Sequence, residues 1–379
     1  MGATTLTTSL VDGVRGRRWR AFDLQLFLYL ILLIAFGVVM GYSANFTDLG
    51  SGGLSQTVRT LIWAAIGLTI FFVTASVDYH WLETLTVPIY LAVLGLLTLT
   101  LFVGTNLFGA QLSISVAGLD FQFSEVSKVL MIVVLASFLT SRREKVGRLS
   151  TIIGAGLLMA VPTFLVFRQP DLGTAMVFVA ILIGMLFMAG ASIGWMALFA
   201  GSAVAAAPLA VQSLEAYQRQ RLFCFLDPSV DPQGACYQLI QALNAVGSGG
   251  VLGQGLTAGR QNQLGFLPVQ STDFIFTVVA EELGLIGGII LLGLFALLIW
   301  RILVIGWGAR DALGMMVATG LATMLLFQIM VNIGMVTGIM PVTGIPLPFV
   351  TYGGSSLISL MFGMGILQSV RMHAKKPTF

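Results

Sequence analysis

Ten stretches of mostly apolar residues, each nearly long enough to cross a bilayer, constrain this chain more than any other feature. They fall at 23–43, 57–77, 84–104, 124–140, 150–167, 173–190, 192–212, 274–303, 312–338 and 350–371. A spanning α-helix needs about 20 such residues. Lipid offers no partner to an unpaired backbone N–H or C=O, so only helices and closed barrels cross it. These runs are too long for barrel strands and lack their alternation. Only 9% of the 379 residues are charged, against about 25% in a soluble domain. The sequence therefore predicts an all-α polytopic membrane protein with about ten transmembrane helices. The first run, Leu24 to Met40, follows Arg15, Arg17, Arg18 and Arg20. A signal peptide has the same order, but this run is long for one and more spans follow, so it reads as a retained helix.

Orientation follows from Lys and Arg, which favour the inner connections. With the N-terminus inside, the inner segments hold Arg15, Arg17, Arg18 and Arg20, then Arg142, Arg143, Lys145 and Arg148. They also hold Arg301, Arg310, Arg371, Lys375 and Lys376, making 13 of the 19 basic residues. An even number of spans returns the chain to its starting side, so both termini are expected in the cytoplasm. Residues 1–22 become a basic cytoplasmic N-terminus, and 213–273 one large extracytoplasmic loop between helices 7 and 8. The whole of 1–379 reads as a single transmembrane domain. Loops this long are functional or disordered. The amide, aromatic and Gly content of this one is not that of a plain linker, and 236–246 has the makings of a short helix.

Both cysteines, Cys224 and Cys236, lie in that loop. Outside a membrane the redox setting permits a disulfide, and Asp227-Pro228 and Asp231-Pro232 offer the turns to form it; two unpaired thiols are the alternative. No suitably spaced His accompanies them, which argues against structural zinc. Asp273 ends the loop where the chain re-enters the membrane. Such an Asp caps a helix, or serves as a general base at the bilayer surface. Glu281 and Glu282 follow about two turns deeper, where acids need partners or water. Glu125 and Lys128, at i, i+3 spacing, share one helix face, as a self-satisfied pair or as a site for a charged lipid headgroup. Arg168 and Asp171 flank Gln169-Pro170 on the same outer side. With Arg219 and Arg221 they supply cations suited to a diphosphate, or charges solvated at a rim. The Gly-rich stretch 247–255 lacks the Gly-Lys-Ser/Thr and preceding strand of a phosphate loop, which leaves a compact turn. Gly284/Gly288 and Gly334/Gly338 have the spacing of close helix packing. His80 and His373 look incidental. No Ser-His-Asp set or metal-ligand cluster emerges.

Several motifs occur together and in a fixed order. They are Phe123-Ser124-Glu125…Lys128, Arg168-Gln169-Pro170-Asp171-Leu172-Gly173-Thr174, and Phe225-Leu226-Asp227-Pro228…Asp231-Pro232-Gln233-Gly234. Further on come Gly247-Ser248-Gly249-Gly250, Thr272-Asp273-Phe274-Ile275-Phe276…Glu281-Glu282-Leu283-Gly284, and Pro346-Leu347-Pro348-Phe349-Val350-Thr351-Tyr352-Gly353-Gly354-Ser355-Ser356. In these the chain resembles the SEDS family (shape, elongation, division and sporulation), most closely its RodA branch. Asn332-Ile333-Gly334-Met335 with Pro341-Val342-Thr343-Gly344-Ile345 favours elongation over division. The chain departs from the family pattern at Phe123, Gln254, Val269 and Ser271, where Pro, Lys, Glu and His are usual.

The resemblance implies a peptidoglycan glycosyltransferase in the plasma membrane of a bacterium, polymerising lipid II at its extracytoplasmic face. It implies partners: a class B penicillin-binding protein, other elongation-complex membrane proteins and membrane lipid, with no nucleic acid. It makes Asp273 the catalytic base and places Glu125, Lys128 and Asp171 in a polar cavity. Arg168, Arg219, Arg221, Gln261, Ser355 and Ser356 complete the expected substrate-binding set. No cofactor is required by the sequence; cationic residues or a divalent cation would steady the diphosphate. A lipid II flippase and a non-catalytic scaffold of the cell-wall complex are the rival readings.

Overall fold

The structure is a computed structural model that describes residues 19–46, 53–103, 105–107, 110–116, 119–198, 201, 211–212, 214–234, 236–264 and 272–374. In chain order the helices are α1 (Leu24–Ala44), α2 (Gly53–Ser76), the single turn α3 (Trp81–Thr84), α4 (Thr86–Val103), α5 (Phe123–Ser141), α6 (Leu149–Arg168) and α7 (Leu172–Ala189). There follow α8 (Ala216–Leu226), α9 (Tyr237–Gly249), α10 (Arg260–Gln263), α11 (Ile275–Trp307), α12 (Ala312–Val336) and α13 (Gly354–His373). Between α4 and α5 lies a three-stranded antiparallel meander, β1 (Thr105–Leu107), β2 (Ala110–Val116) and β3 (Leu119–Phe121). It delivers the chain to Gln122 at the start of α5.

Among the described residues, eight helices are long and apolar enough to cross a membrane: α1, α2 from Gln56, α4, α5, α6, α7, α11 and α12. They coincide with eight of the ten stretches picked out by hydropathy, within a few residues. The tenth stretch is α13, which starts at Gly354 rather than 350. The seventh, 192–212, lies largely outside the described residues. The bundle has an inside and an outside. In α5 and α12 the most apolar stretch is 72% buried, but in α4 only 17%. Lipid-facing helices can stay uniformly apolar, whereas an enclosed one can carry polar groups that neighbours satisfy. Helix α13 is enclosed and buries Ser355, Ser359, Gln368 and Ser369. Small residues let it in: Gly365 sits against Phe71 and Thr74 of α2, and Gly354 against Trp63.

Among the described residues, three helices begin with an Asp cap. Leu26 N donates to Asp23 Oδ1 at 2.9 Å, Thr174 N to Asp171 Oδ1 at 2.9 Å, and Gly314 N to Asp311 Oδ1 at 2.8 Å. Each carboxylate satisfies one of the amides a helix start leaves unpaired. Helix α11 is broken at Gly284, where φ is +65°. The break frees backbone groups, and the Gly-rich turn after α9 takes them up. Gln254 N and Gly255 N donate to the carbonyls of Glu281 and Glu282, while Leu285 N and Ile286 N donate to those of Gly250 and Val251. A methyl on Gly253 would lie 2.1 Å from the Glu282 carbonyl oxygen, so only Gly allows this approach. The compact turn is therefore a dock for a broken helix. Nor do the GxxxG pairs pack helices. Gly284 is the break itself, and Gly338 lies beyond the end of α12 at φ +73°.

Candidate functional site

At one end of the bundle, polar groups from five elements converge. Glu125 and Lys128 lie in the first two turns of α5, and Lys128 Nζ reaches Glu125 Oε1 at 2.6 Å with both side chains buried. Burying either charge alone would be expensive, so each is the condition for the other. Asp171, capping α7, accepts a long 3.4 Å bond from Gln122 Nε2. Gln122 N in turn donates to Ser355 Oγ at 3.0 Å. The carbonyl of Pro170 accepts from Tyr217 Oη at 3.0 Å and Gln218 Nε2 at 2.9 Å, which lays α8 over the start of α7. That brings in Arg221, whose guanidinium stands 5.8 Å from the Tyr217 ring centre.

Asp273 lies in the turn before α11. The helix starts at Phe274 with no side-chain cap, so the capping reading of Asp273 is not what the structure shows. Its carboxylate lies beside Gly344: a methyl on Gly344 would be 3.4 Å from Asp273 Oδ2 and 4.0 Å from Arg221 Nη1. Among the described residues none donates a hydrogen bond to this carboxylate. Burial pushes Asp273 up to about 7; Arg221 pulls the other way and Asp171 adds to the rise. Asp171 is also raised, by burial, against its Thr174 bonds and Lys128. Ser124 Oγ, Glu125 Oε2, Gln169 Oε1 and Thr343 Oγ1 lie buried at the same end without a hydrogen-bond partner among the described residues. Buried polar atoms are normally satisfied by protein or ordered water, so this end holds polar capacity that the fold does not use.

The other sequence candidates are distributed as follows. Arg168 and Arg219 are exposed at the rim, and Arg219 donates to the carbonyls of Gln212 and Leu214. Ser356 lies one residue beyond Ser355, half-buried. Gln261 stands apart from Asp273, in a network around Glu281 and Glu282. Its backbone N and that of Asn262 donate to Glu281 at 2.7 and 3.1 Å. Glu282 accepts from Asn262 Nδ2 at 3.2 Å and, in a short bond, from the Ser43 hydroxyl. These two intramembrane acids tie α10 and the end of α1 to the break in α11. Cys224 and Cys236 are joined by a disulfide that links α8 to the start of α9.

The histidines are not incidental. At the opposite end His80 lies between Asp78 and Asp311, at 2.7 and 2.6 Å. Tyr79 Oη also donates to Asp311 at 2.7 Å, and His373 Nε2 lies 3.5 Å from Asp78. Nearby, Arg301 grips Asp23 through two nitrogens and Arg371 approaches at 3.6 Å. Asp78, His80, Asp311 and His373, with Glu83 and Arg310, border a cleft of about 570 Å³. Sequence spacing could not pair them, because Asp78 and Asp311 are far apart in the chain. It also missed Gln122, Tyr217 and Asn332, which are ordinary polar residues until the fold aims them. Among the described residues no three His, Cys, Asp or Glu side chains are grouped to hold a metal ion.

Comparison with known proteins gives concordant results. The family model for FtsW/RodA/SpoVE, described as cell cycle protein, matches residues 23–376. Stage V sporulation protein E of Bacillus subtilis is 37% identical, with 93% of this chain and 98% of that protein covered. The peptidoglycan glycosyltransferase MrdB of Escherichia coli is 39% identical, covering 93% and 94%. A solved peptidoglycan synthase complex, described as coordinating polymerization and crosslinking, contains a chain that superposes at TM-score 0.78. It is 31% identical, over 92% of this chain and 97% of that one. The rod shape determining protein RodA of Thermus thermophilus superposes at TM-score 0.72 and is 28% identical, over 94% and 99%.

Proposed function

Since this chain belongs to the FtsW/RodA/SpoVE family, which is the SEDS family, we propose that it is a peptidoglycan glycosyltransferase with Asp273 as its general base. The substrate is lipid II, a disaccharide-peptide on a polyprenyl diphosphate. The acceptor's sugar 4-hydroxyl loses its proton to Asp273 as its oxygen bonds to the donor's anomeric carbon. The bond from that carbon to the diphosphate breaks, and the electron pair leaves with the diphosphate. A single displacement inverts the anomeric centre. No second carboxylate is needed as acid, because diphosphate already leaves well; hydrolases of glycosides need two. Arg221, with Arg168 and Arg219 at the rim, provides positive charge for the diphosphate. Glu125, Lys128 and Asp171 shape the polar floor, and Ser355 holds Gln122 in place.

One observation carries this reading: a carboxylate largely withdrawn from water, with an arginine beside it and no hydrogen-bond donor among the described residues. A base is most useful when its pKa lies near the operating pH, and burial brings Asp273 there. The distribution of Lys and Arg supports an extracytoplasmic site in a bacterial plasma membrane, with the lipid tails of both substrates remaining in the bilayer. The solved synthase complex supports a class B penicillin-binding protein as partner. The stretch from Asn332 to Ile345 supports a role in elongation and shape, alongside other membrane proteins of the elongation complex. The test is purified full-length protein, with its transpeptidase partner, given lipid II and examined for glycan chains. Polymer from the parent and none from folded Asp273→Asn is the expected result. Polymer from both ends the role of Asp273; no polymer, but transbilayer movement of lipid II in liposomes, favours the flippase.

A further inference from the structure

We infer that Asn332 is a positioning residue: its side-chain amide ties the turn carrying Asp273 to the loop that faces it, and so sets where the carboxylate stands. Asn332 lies on α12, fully buried. Its Nδ2 donates to the backbone carbonyl of Asp273 at 2.9 Å and to that of Ile345 at 2.7 Å. Both partners are acceptors, which fixes the amide orientation; the reverse flip would set oxygen against two oxygens. The tied loop is the wall of the site. Gly344 borders the Asp273 carboxylate and Arg221, while the Thr343 carbonyl and the Ile345 side chain press on Gly173, two residues after Asp171. One amide thus spans the two segments that separate Asp171 from Asp273. No regular secondary structure holds the 341–347 segment, so its place depends on such bonds. A shift of the Asp273 carbonyl moves the carboxylate with it, and misplacing a reacting group by about 1 Å can cost about 100-fold in rate.

The inference rests on the glycosyltransferase reading, and its test separates the two. Full-length parent, Asn332→Leu, Asn332→Asp and Gln328→Leu are compared, with the transpeptidase partner present. Gln328 is an equally buried amide one turn earlier on α12 and controls for loss of a buried polar group. For Asn332→Leu, kcat on lipid II should fall about 100-fold with KM unchanged. Its remaining activity should show its acid limb at lower pH, because a loosened Asp273 is better solvated. Backbone hydrogen exchange should quicken at 273–276 and 343–347 but not along α1. Gln328→Leu should keep the parent's kcat and exchange pattern. Should Asn332→Leu fail to fold, Asn332→Asp replaces the donor by an acceptor at constant volume and is read in the same way. Parental kcat and pH profile in the Asn332 variants would overturn the inference. So would exchange that quickens throughout the bundle and equally in Gln328→Leu. Should the parent make no polymer, the glycosyltransferase reading fails, and the exchange pattern alone decides the tether: local loosening upholds it, and no loosening overturns it.

Discussion

At one end of the bundle Asp23 and Asp311 cap helices and are held by other donors besides; at the other, Asp171 caps a helix and Asp273 has little to hold it. Asp311 receives the Gly314 amide, the Tyr79 hydroxyl and His80. It sits below the usual carboxylate range because these bonds outweigh the upward push of burial. Asp78 is lowered likewise, chiefly through His80 against burial. Asp171 and Asp273 are raised, because burial there meets too few donors. The residue type is the same at both ends, but Asp78 and Asp311 keep 30% of their side chains exposed, while burial is the leading cause of the raised values at Asp171 and Asp273. Deeper burial and a smaller supply of donors among the described residues together separate an acid available to take a proton from one that fastens helices.

This contrast can be broken in order of effect. Asp273→Asn should lower the polymerisation rate by about 10²- to 10⁴-fold, the usual range for a positioned base. Its thermal stability at pH 8 should equal or exceed the parent's. The folded-state pKa of Asp273 is raised, so the parent loses stability as pH climbs from the ordinary carboxylate value to about 7. A calorimetric melt showing marked destabilisation instead would make Asp273 another fastener. At the opposite end Asp23→Ala leaves Arg301 without its carboxylate. Breaking a buried pair costs about 3–5 kcal/mol, and the lower figure applies because Arg301 is 22% exposed. Denaturant unfolding should show the loss, while kcat per folded molecule stays at the parental value.

Removing the disulfide with Cys224→Ser and Cys236→Ser should cost about 3 kcal/mol, appropriate to a short closed loop. Limited proteolysis should then cut α8 or the 227–235 stretch sooner. Because α8 carries Arg221, kcat should fall too, which Asp23→Ala does not do. The smallest effect belongs to His80→Gln. Burial alone would lower the His80 pKa, but its bonds to Asp78 and Asp311 raise it overall. Its stabilisation is full below the ordinary His value and is lost as pH rises through the raised one. The parent's melting advantage over His80→Gln should therefore be complete below the ordinary His value and fade as pH rises above it. With 40% of the side chain exposed, the advantage stays under about 1 kcal/mol.

What the sequence revealed follows the same physics. Spanning helices were legible because lipid demands long apolar runs, and the extent of eight of them is set by composition alone. Helix α13 was legible by length, though Gln368 and Ser369 mark it as enclosed only once α2 and α5 are seen around it. Local pairs such as Glu125–Lys128 could be read from spacing. Long-range ones could not: nothing near His80 points to Asp311, and nothing near Asn332 points to Asp273. The glycines misled in a useful way, since their spacing suggested helix contact while their backbone angles serve a break and a turn. The small sheet before α5 left no sign in the apolar pattern, because it lies between spans.

The pH dependence of lipid II polymerisation by the full-length protein bears on Asp273 without intermediaries. The rate should fall as pH drops below about 7, with a single acid limb that disappears in whatever slow activity Asp273→Asn retains. A limb near the ordinary carboxylate value, or one that survives unchanged in Asp273→Asn, would show that some other group takes the proton.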